Sequence, residues 1–213
     1  MSAPNFVYRA FDKEKYAKAL VNEGRIRLGE LRKYRGIEDA RRRDATEGEA
    51  HVQFPDEVTR IHFDLVSGES HSSRGPGIMH SHSSLGNPIY IFCTSLPEVD
   101  LEHMRRNFGK HIVKIGDPAQ LSADLQLAME NSDLQLQGRV DSSRVKYTKG
   151  ELAAADSKPS ERFRLSYLQK PKQFQPEREF RFVAIIGGVV RPSDLPQDID
   201  LNLGGRLEYA ELL

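Results

Sequence analysis

Segments that read as β-strands outnumber helical ones along this chain, and the two kinds do not alternate. The run "IYIFCTSL" (residues 89–96) is the densest of them and reads as a buried strand that ends in hydroxyls. A doubly wound parallel sheet needs regular strand–helix succession. The irregular order instead predicts an α+β fold: a mixed or antiparallel β-sheet with short flanking helices. At 213 residues, a single domain with its own core is expected to span the chain.

The opening "NFVYRAF" predicts a strand with Val7, Arg9 and Phe11 on one face and Phe6, Tyr8 and Ala10 on the other. "DKEKYAKALVNEG" predicts a helix with Asp12 as N-cap, Tyr16, Ala19 and Leu20 at helical spacing, and Gly24 where it stops. "RIRLGEL" predicts another strand, and "HVQF" and "TRIHFDLV" an antiparallel pair. The stretch "SGESHSSRGPGIMHSHSSLGNP" is so rich in Gly, Ser, Pro and His that it reads as loop, and residues 67–87 as a lid over a cleft. Beyond it, "LEHMRRNFG" predicts a short helix, "HIVKI" a strand and "PAQLSADLQLAMENS" a helix with Pro118 in its first turn. "REFRFVAII" and "GRLEYAEL" read as closing strands.

Composition removes several function classes. Lys plus Arg number 31 against 31 Asp plus Glu, so no global field draws the chain to nucleic acid or a membrane surface. Cys93 is the sole cysteine, which excludes an intrachain disulfide. No stretch approaches the roughly 18 apolar residues of a spanning helix, and the N-terminus lacks an apolar signal core. A cytoplasmic protein without membrane attachment is the expectation. Neither GxGxxG nor GxxxxGK[ST] is present, so a nucleotide would be held by another architecture.

Three polar features stand where the pattern predicts burial. Arg9 shares a strand face with Val7 and Phe11, where a guanidinium requires either a structural ion pair or a ligand's anion. Thr94 and Ser95 close an apolar strand. In "QFQPEREFRF", Glu177 and Glu179 would lie on one strand face, roughly 7 Å apart. They form either a solvated strand entrance balanced by Arg178 and Arg181, or a carboxylate pair aimed into a cleft behind Pro176.

Tyr8-Arg9, Thr94-Ser95 and Glu177-Arg178-Glu179, in that chain order, resemble the aromatic-Arg, Ser/Thr-Ser/Thr and Glu-x-Glu motifs of the Arg–Ser–Glu branch of the ADP-ribosyltransferase superfamily. The layout is also similar to a group of bacterial and phage proteins with that fold. The resemblance implies an NAD site in which Tyr8, Arg9 and Thr94 contact the dinucleotide and Arg9 meets a phosphate or ribose. Ser95, or Thr94, would orient the catalytic glutamate. Glu179 would bond the nicotinamide-ribose 2′-hydroxyl, and Glu177 would position or deprotonate the acceptor. The middle motif departs from a full Ser-Thr-Ser, because Cys93 precedes it.

The loop "IEDARRRDATEGE" reads either as a solvated charged surface or as a flank of the cleft, with Arg43 on a phosphate and Asp44 or Glu47 on a ribose hydroxyl. His71, His80 and His82 read as part of a polar loop, with no metal expected. The implied activity is transfer of ADP-ribose from NAD to a protein or nucleic-acid acceptor, in toxin, phage or defence biology. The alternatives are an NAD glycohydrolase and a catalytically silent binding module.

Overall fold

The computed structural model describes residues 4–31, 33, 88–132, 138–148, 166–186 and 196–213, together with the backbone of residues 49–63 and 70–82. In chain order the elements are β1 (Val7–Phe11), α1 (Glu14–Glu23), β2 (Arg25–Glu30), β3 (Glu49–Phe63), β4 (Ser70–His82), β5 (Ile89–Ser95), α2 (Leu101–Asn107) and β6 (His111–Ile115). There follow α3 (Pro118–Glu130), β7 (Gly138–Arg144), β8 (Lys146–Thr148), β9 (Gln169–Pro171), β10 (Glu179–Ile186), β11 (Asp198–Asn202) and β12 (Ala210–Leu212). Two 3₁₀ turns, Ser166–Leu168 and Lys172–Glu177, flank β9.

The main sheet runs β11-β2-β5-β1-β6-β12, with β10 on the opposite edge of β5 and β7 beyond it. Every pairing in it is antiparallel, whereas the small β8–β9 pair is parallel. The fold is therefore mixed α+β with a mostly antiparallel sheet, as the irregular element order predicts.

On the edge away from β10, β5 is shared by two strands. β2 meets it at Tyr90 and Ile91, and β1 meets it only where Tyr8 stands opposite Ser95. Phe92, Cys93 and Thr94 thus have neither a β1 nor a β2 residue in register, and the sheet is split there.

Side-chain alternation sorts the two faces. Val7, Phe92, Phe180, Phe182 and Ala184 pack with Ala17 and Leu20 of α1 and Leu121, Leu125 and Met129 of α3 in the largest core cluster. Leu20, Leu28, Leu121 and Leu125 are at most 1% exposed, and each such burial contributes about 1.5–3 kcal/mol. The opposite face carries two smaller apolar patches. Ala10, Met104 and Ile112 pack beneath α2, with Tyr8 and Phe108 against them. Ile91, Val183, Tyr167 and Leu168 form the other, with Cys93 and Ile185 alongside.

Local signals account for three helix ends. α1 stops at Gly24, whose φ of 64° is left-handed and whose added Cβ would stand 2.5 Å from the Gly205 carbonyl oxygen. Its N-cap is Lys13 rather than Asp12, without a side-chain capping bond, and Ala17, Leu20 and Val21 are its buried positions while Tyr16 is exposed. Asp100 and Asp117 cap α2 and α3, each accepting a backbone N–H at 2.9 Å. Gln126 of α3 grips β7 twice, donating to the Gly138 carbonyl at 3.1 Å and accepting from Val140 N–H at 2.7 Å.

Two expectations are corrected. "HVQF" and "TRIHF" belong to one strand, β3, with an irregularity between Phe54 and Val58 where Pro55 interrupts the ladder. The Gly/Ser/His-rich segment, expected to be loop, is strand β4 over Ser70–His82, paired antiparallel with β3 from Phe63↔Ser70 to Glu49↔His82. Strand propensity depends on context and the ladder is made by backbone groups, so a partner strand of matching length outweighs the loop-like sequence.

Candidate functional site

Between the two smaller apolar patches lies a polar island built from three adjacent strands. Ser95 at the end of β5 stands in register with Tyr8 on β1 and with Glu179 on β10. In-register residues of antiparallel strands share a face, so the three side chains line one side of the sheet. With Glu177, Lys170, Arg181, Cys93 and Phe108 they help to line a cavity of about 220 Å³.

Glu177 reaches this cavity by a route that the sequence did not suggest. It is not on the strand but ends the 3₁₀ turn, and Arg178 follows in the left-handed region with φ 47°. The chain reverses there before β10 begins at Glu179. A non-glycine residue in that conformation stores strain of order 1–3 kcal/mol, held by the bonds on either side. Leu96 N–H donates to the Arg178 carbonyl at 2.8 Å, and Arg178 N–H donates to Gln175 at 3.1 Å.

The two carboxylates meet two buried cations. Lys170 Nζ lies 2.9 Å from Glu177 Oε2 and 3.1 Å from Glu179 Oε2. Arg181, wholly buried, donates through Nε to Glu179 Oε1 at 2.9 Å, through Nη2 to Oε2 at 3.2 Å, and through Nη1 to the Tyr167 carbonyl at 2.6 Å. Glu179 N–H donates to Tyr147 Oη at 2.7 Å. Arg181 thus does not balance charge in solvent. It is a core residue whose cost of burial is offset by a two-pronged carboxylate and a carbonyl.

The environments of the glutamates drive them apart. Burial pushes Glu179 toward the protonated acid, but Arg181 and Lys170 outweigh it and hold the carboxyl below the usual range, assisted by hydrogen bonds from Arg181 and the Cys93 thiol. Burial raises Glu177 above its ordinary value; Lys170 opposes the rise and Glu179 adds to it. One carboxylate is kept ionised, and its neighbour is shifted toward the protonated acid. Burial, with Glu179 beside it, also raises the Cys93 thiol, which stays protonated.

Arg9 lies on the strand face that alternation predicts for it, with Val7 and Phe11 and away from Tyr8. It faces the α1 side with Phe11 and Phe92, its guanidinium carbon 5.6 Å and 5.0 Å from their ring centres. Nη1 donates to the Cys93 carbonyl at 2.5 Å, so the side chain fills the split between β1 and β2. Its buried Nε has no hydrogen-bond partner, and among the described residues no carboxylate lies within ion-pair distance. From the split Arg9 lines both the small cavity and a larger one, about 690 Å³, on the α1 side.

Thr94 donates its hydroxyl to the Phe180 carbonyl at 2.7 Å, which commits it to the β5–β10 ladder. Ser95 is therefore the hydroxyl residue opposite Glu179. Arg43, with Asp44 and Glu47, lies outside the described residues. Among the described residues, no group of three His, Cys, Asp or Glu could hold a metal ion, and no helix is long and apolar enough to cross a membrane.

Sequence reasoning missed Lys170. The available signal was charge balance: two glutamates drawn toward one cleft require counter-charge, and "QKPKQFQPE" supplies a lysine one short turn away.

The arrangement defines an α+β protein with a split antiparallel sheet and a buried carboxylate pair at the strand ends. No family model, curated protein or solved structure matches the chain.

Proposed function

We propose that the protein splits NAD at the nicotinamide–ribose bond and transfers ADP-ribose to a macromolecular acceptor. The observation that carries this reading is the row Tyr8–Ser95–Glu179 across β1, β5 and β10, with Glu177 lining the same cavity. It supports the ADP-ribosyltransferase resemblance because Tyr8, Ser95 and Glu179, one residue from each of three short motifs far apart in the chain, converge on one face.

The chemistry suits the site. Breaking the N-glycosidic bond builds positive charge on the ribose, and an ionised carboxylate bonded to the 2′-hydroxyl stabilises that charge more in the transition state than in the ground state. Glu179 is held ionised. A carboxylate has about four lone-pair positions. Arg181 and Lys170 take three, and a ribose hydroxyl displaces the weak thiol donor of Cys93 from the fourth. Glu177, raised and adjacent, accepts the acceptor's proton. Cavities that enclose a whole small ligand run to roughly 300–1,000 Å³, so about 220 Å³ suits the nicotinamide-ribose end alone. Arg9 lines the cavity from the split and is the residue that this reading assigns to a phosphate.

A second reading, a silent binding module, is favoured by one observation. Glu177, Glu179, Lys170 and Arg181 already balance as two acids against two bases. Incubation of the protein and a lysate with NAD labelled in the adenylate separates the readings. Label on a macromolecule supports transfer, free ADP-ribose supports hydrolysis, and intact NAD overturns the enzymatic reading.

A further inference from the structure

We propose that Lys170 is a positioning residue that joins Glu177 to Glu179, making one working unit of two carboxylates that the backbone does not align. This rests on the reading of both glutamates as reactive groups. Glu177 sits on a 3₁₀ turn, and the left-handed Arg178 breaks the strand alternation that would otherwise set its direction. What ties its carboxylate into the cavity is the 2.9 Å bond to Lys170 Nζ, which lies 3.1 Å from Glu179 as well. Lys170 is itself fixed, because β9 pairs in register with β8 at Tyr147↔Lys170 and its ammonium stands 5.0 Å from the Phe174 ring centre.

The groups around Glu177 come from five elements. Lys170 is on β9, Glu179 and Arg181 on β10, and Tyr147 on β8, with Cys93 of β5 facing Glu179; Tyr8 and Arg9 of β1 line the same cavity. Without Lys170, Arg181 alone would face two carboxylates. It bonds Glu179 directly, so Glu179 would stay ionised and Glu177 would take the proton. Transfer, which needs Glu177 as a base, would then suffer more than cleavage, which needs Glu179.

The test uses the full chain with Lys170→Met and Lys170→Arg, read by nicotinamide release, by labelled transfer to lysate acceptors across pH, and by carboxyl carbon NMR titration of Glu177 assigned through Glu177→Gln. Lys170→Met is expected to move the Glu177 titration to higher pH and to lower transfer at neutral pH by at least about tenfold, with recovery at alkaline pH. Release falls less, and Lys170→Arg retains most of the transfer. Should Lys170→Met fail to fold, the Lys170 ammonium resonance of the folded protein is compared with and without Glu177→Gln, and is expected to shift. An unmoved Glu177 titration in folded Lys170→Met, or an unmoved ammonium resonance, overturns the proposal. If the wild-type protein releases no nicotinamide, the enzymatic reading fails on its own, while the titration still decides whether Lys170 holds Glu177.

Discussion

Arg181 and Glu179, two residues apart on the same face of β10, share a two-pronged ion pair at 2.9 Å and 3.2 Å from which solvent is excluded. Cutting Arg181 away leaves the buried Glu179 carboxylate with Lys170 alone, which Glu177 also shares. Arg181→Met is therefore expected to cost about 3–5 kcal/mol, the range for breaking a buried pair. Arg181→Lys should recover little, since an ammonium cannot make both prongs and also reach the Tyr167 carbonyl. Chemical denaturation midpoints measure this. A loss below about 1 kcal/mol, the range of exposed pairs, would mean that water reaches the pair in solution.

Stability should depend on pH with opposite signs at the two glutamates. Glu179 is held below its ordinary value of 4.5, so it adds stability above that pH and loses it as pH falls through the folded value. Glu177 is raised above 4.5, so its contribution is full below that pH and fades as pH rises through the folded value. Relative to wild type, Glu177→Gln should gain ground from acid toward neutral pH, while Glu179→Gln should lose ground over the acid range. Urea midpoints taken at a series of pH values check both slopes. Slopes of the same sign would contradict the split.

The adjacent hydroxyls should separate cleanly. Thr94→Val removes a buried bond to the Phe180 carbonyl and is expected to cost about 1–2 kcal/mol of stability, with nicotinamide release nearly unchanged. Ser95→Ala should do the reverse, sparing the melting temperature and lowering release. Equal effects of the two on turnover would remove Ser95 from its special place opposite Glu179.

Arg9→Lys keeps the charge but loses the planar fork that fills the split and, under the proposed function, would meet a phosphate. NAD affinity is expected to fall by about 1–3 kcal/mol, as for hydrogen bonds to charged groups. Calorimetry decides: unchanged NAD binding with a large drop in melting temperature would make Arg9 a structural plug.

Much of the fold was legible where one physical rule acts locally. The alternation in "FVYRAF" and "EFRFVAII" sorts Val7, Phe180, Phe182 and Ala184 to the helix-covered face, and Gly24 ends α1. The site was legible as three motifs in order, but its geometry was not. Glu177 was placed on the strand because nothing in "QPERE" announces a left-handed arginine, a conformation enforced by contacts with residues as distant as Leu96. The sequence leaves Arg181 open between a solvated strand entrance and a cleft, because its burial depends on the Tyr167 carbonyl, supplied by a separate turn. The segment forming β4 was misjudged because composition weighs side chains, while pairing with β3 is made by backbone.

The sharing of β5 has a kinetic consequence. Its neighbours come from both ends of the chain: Tyr8 and Glu179 each meet Ser95 across more than eighty residues, and Gly29 meets Ile91 across sixty-two. Contacts of such long sequence separation reward the chain only after loop-closure entropy has been spent, which slows their formation. A nascent chain has β1 and β5 in hand well before β10 is synthesised. The carboxylates and Arg181 are thus the last members of the site to arrive, and until they do the β5 edge that will receive β10 stays open to any other strand.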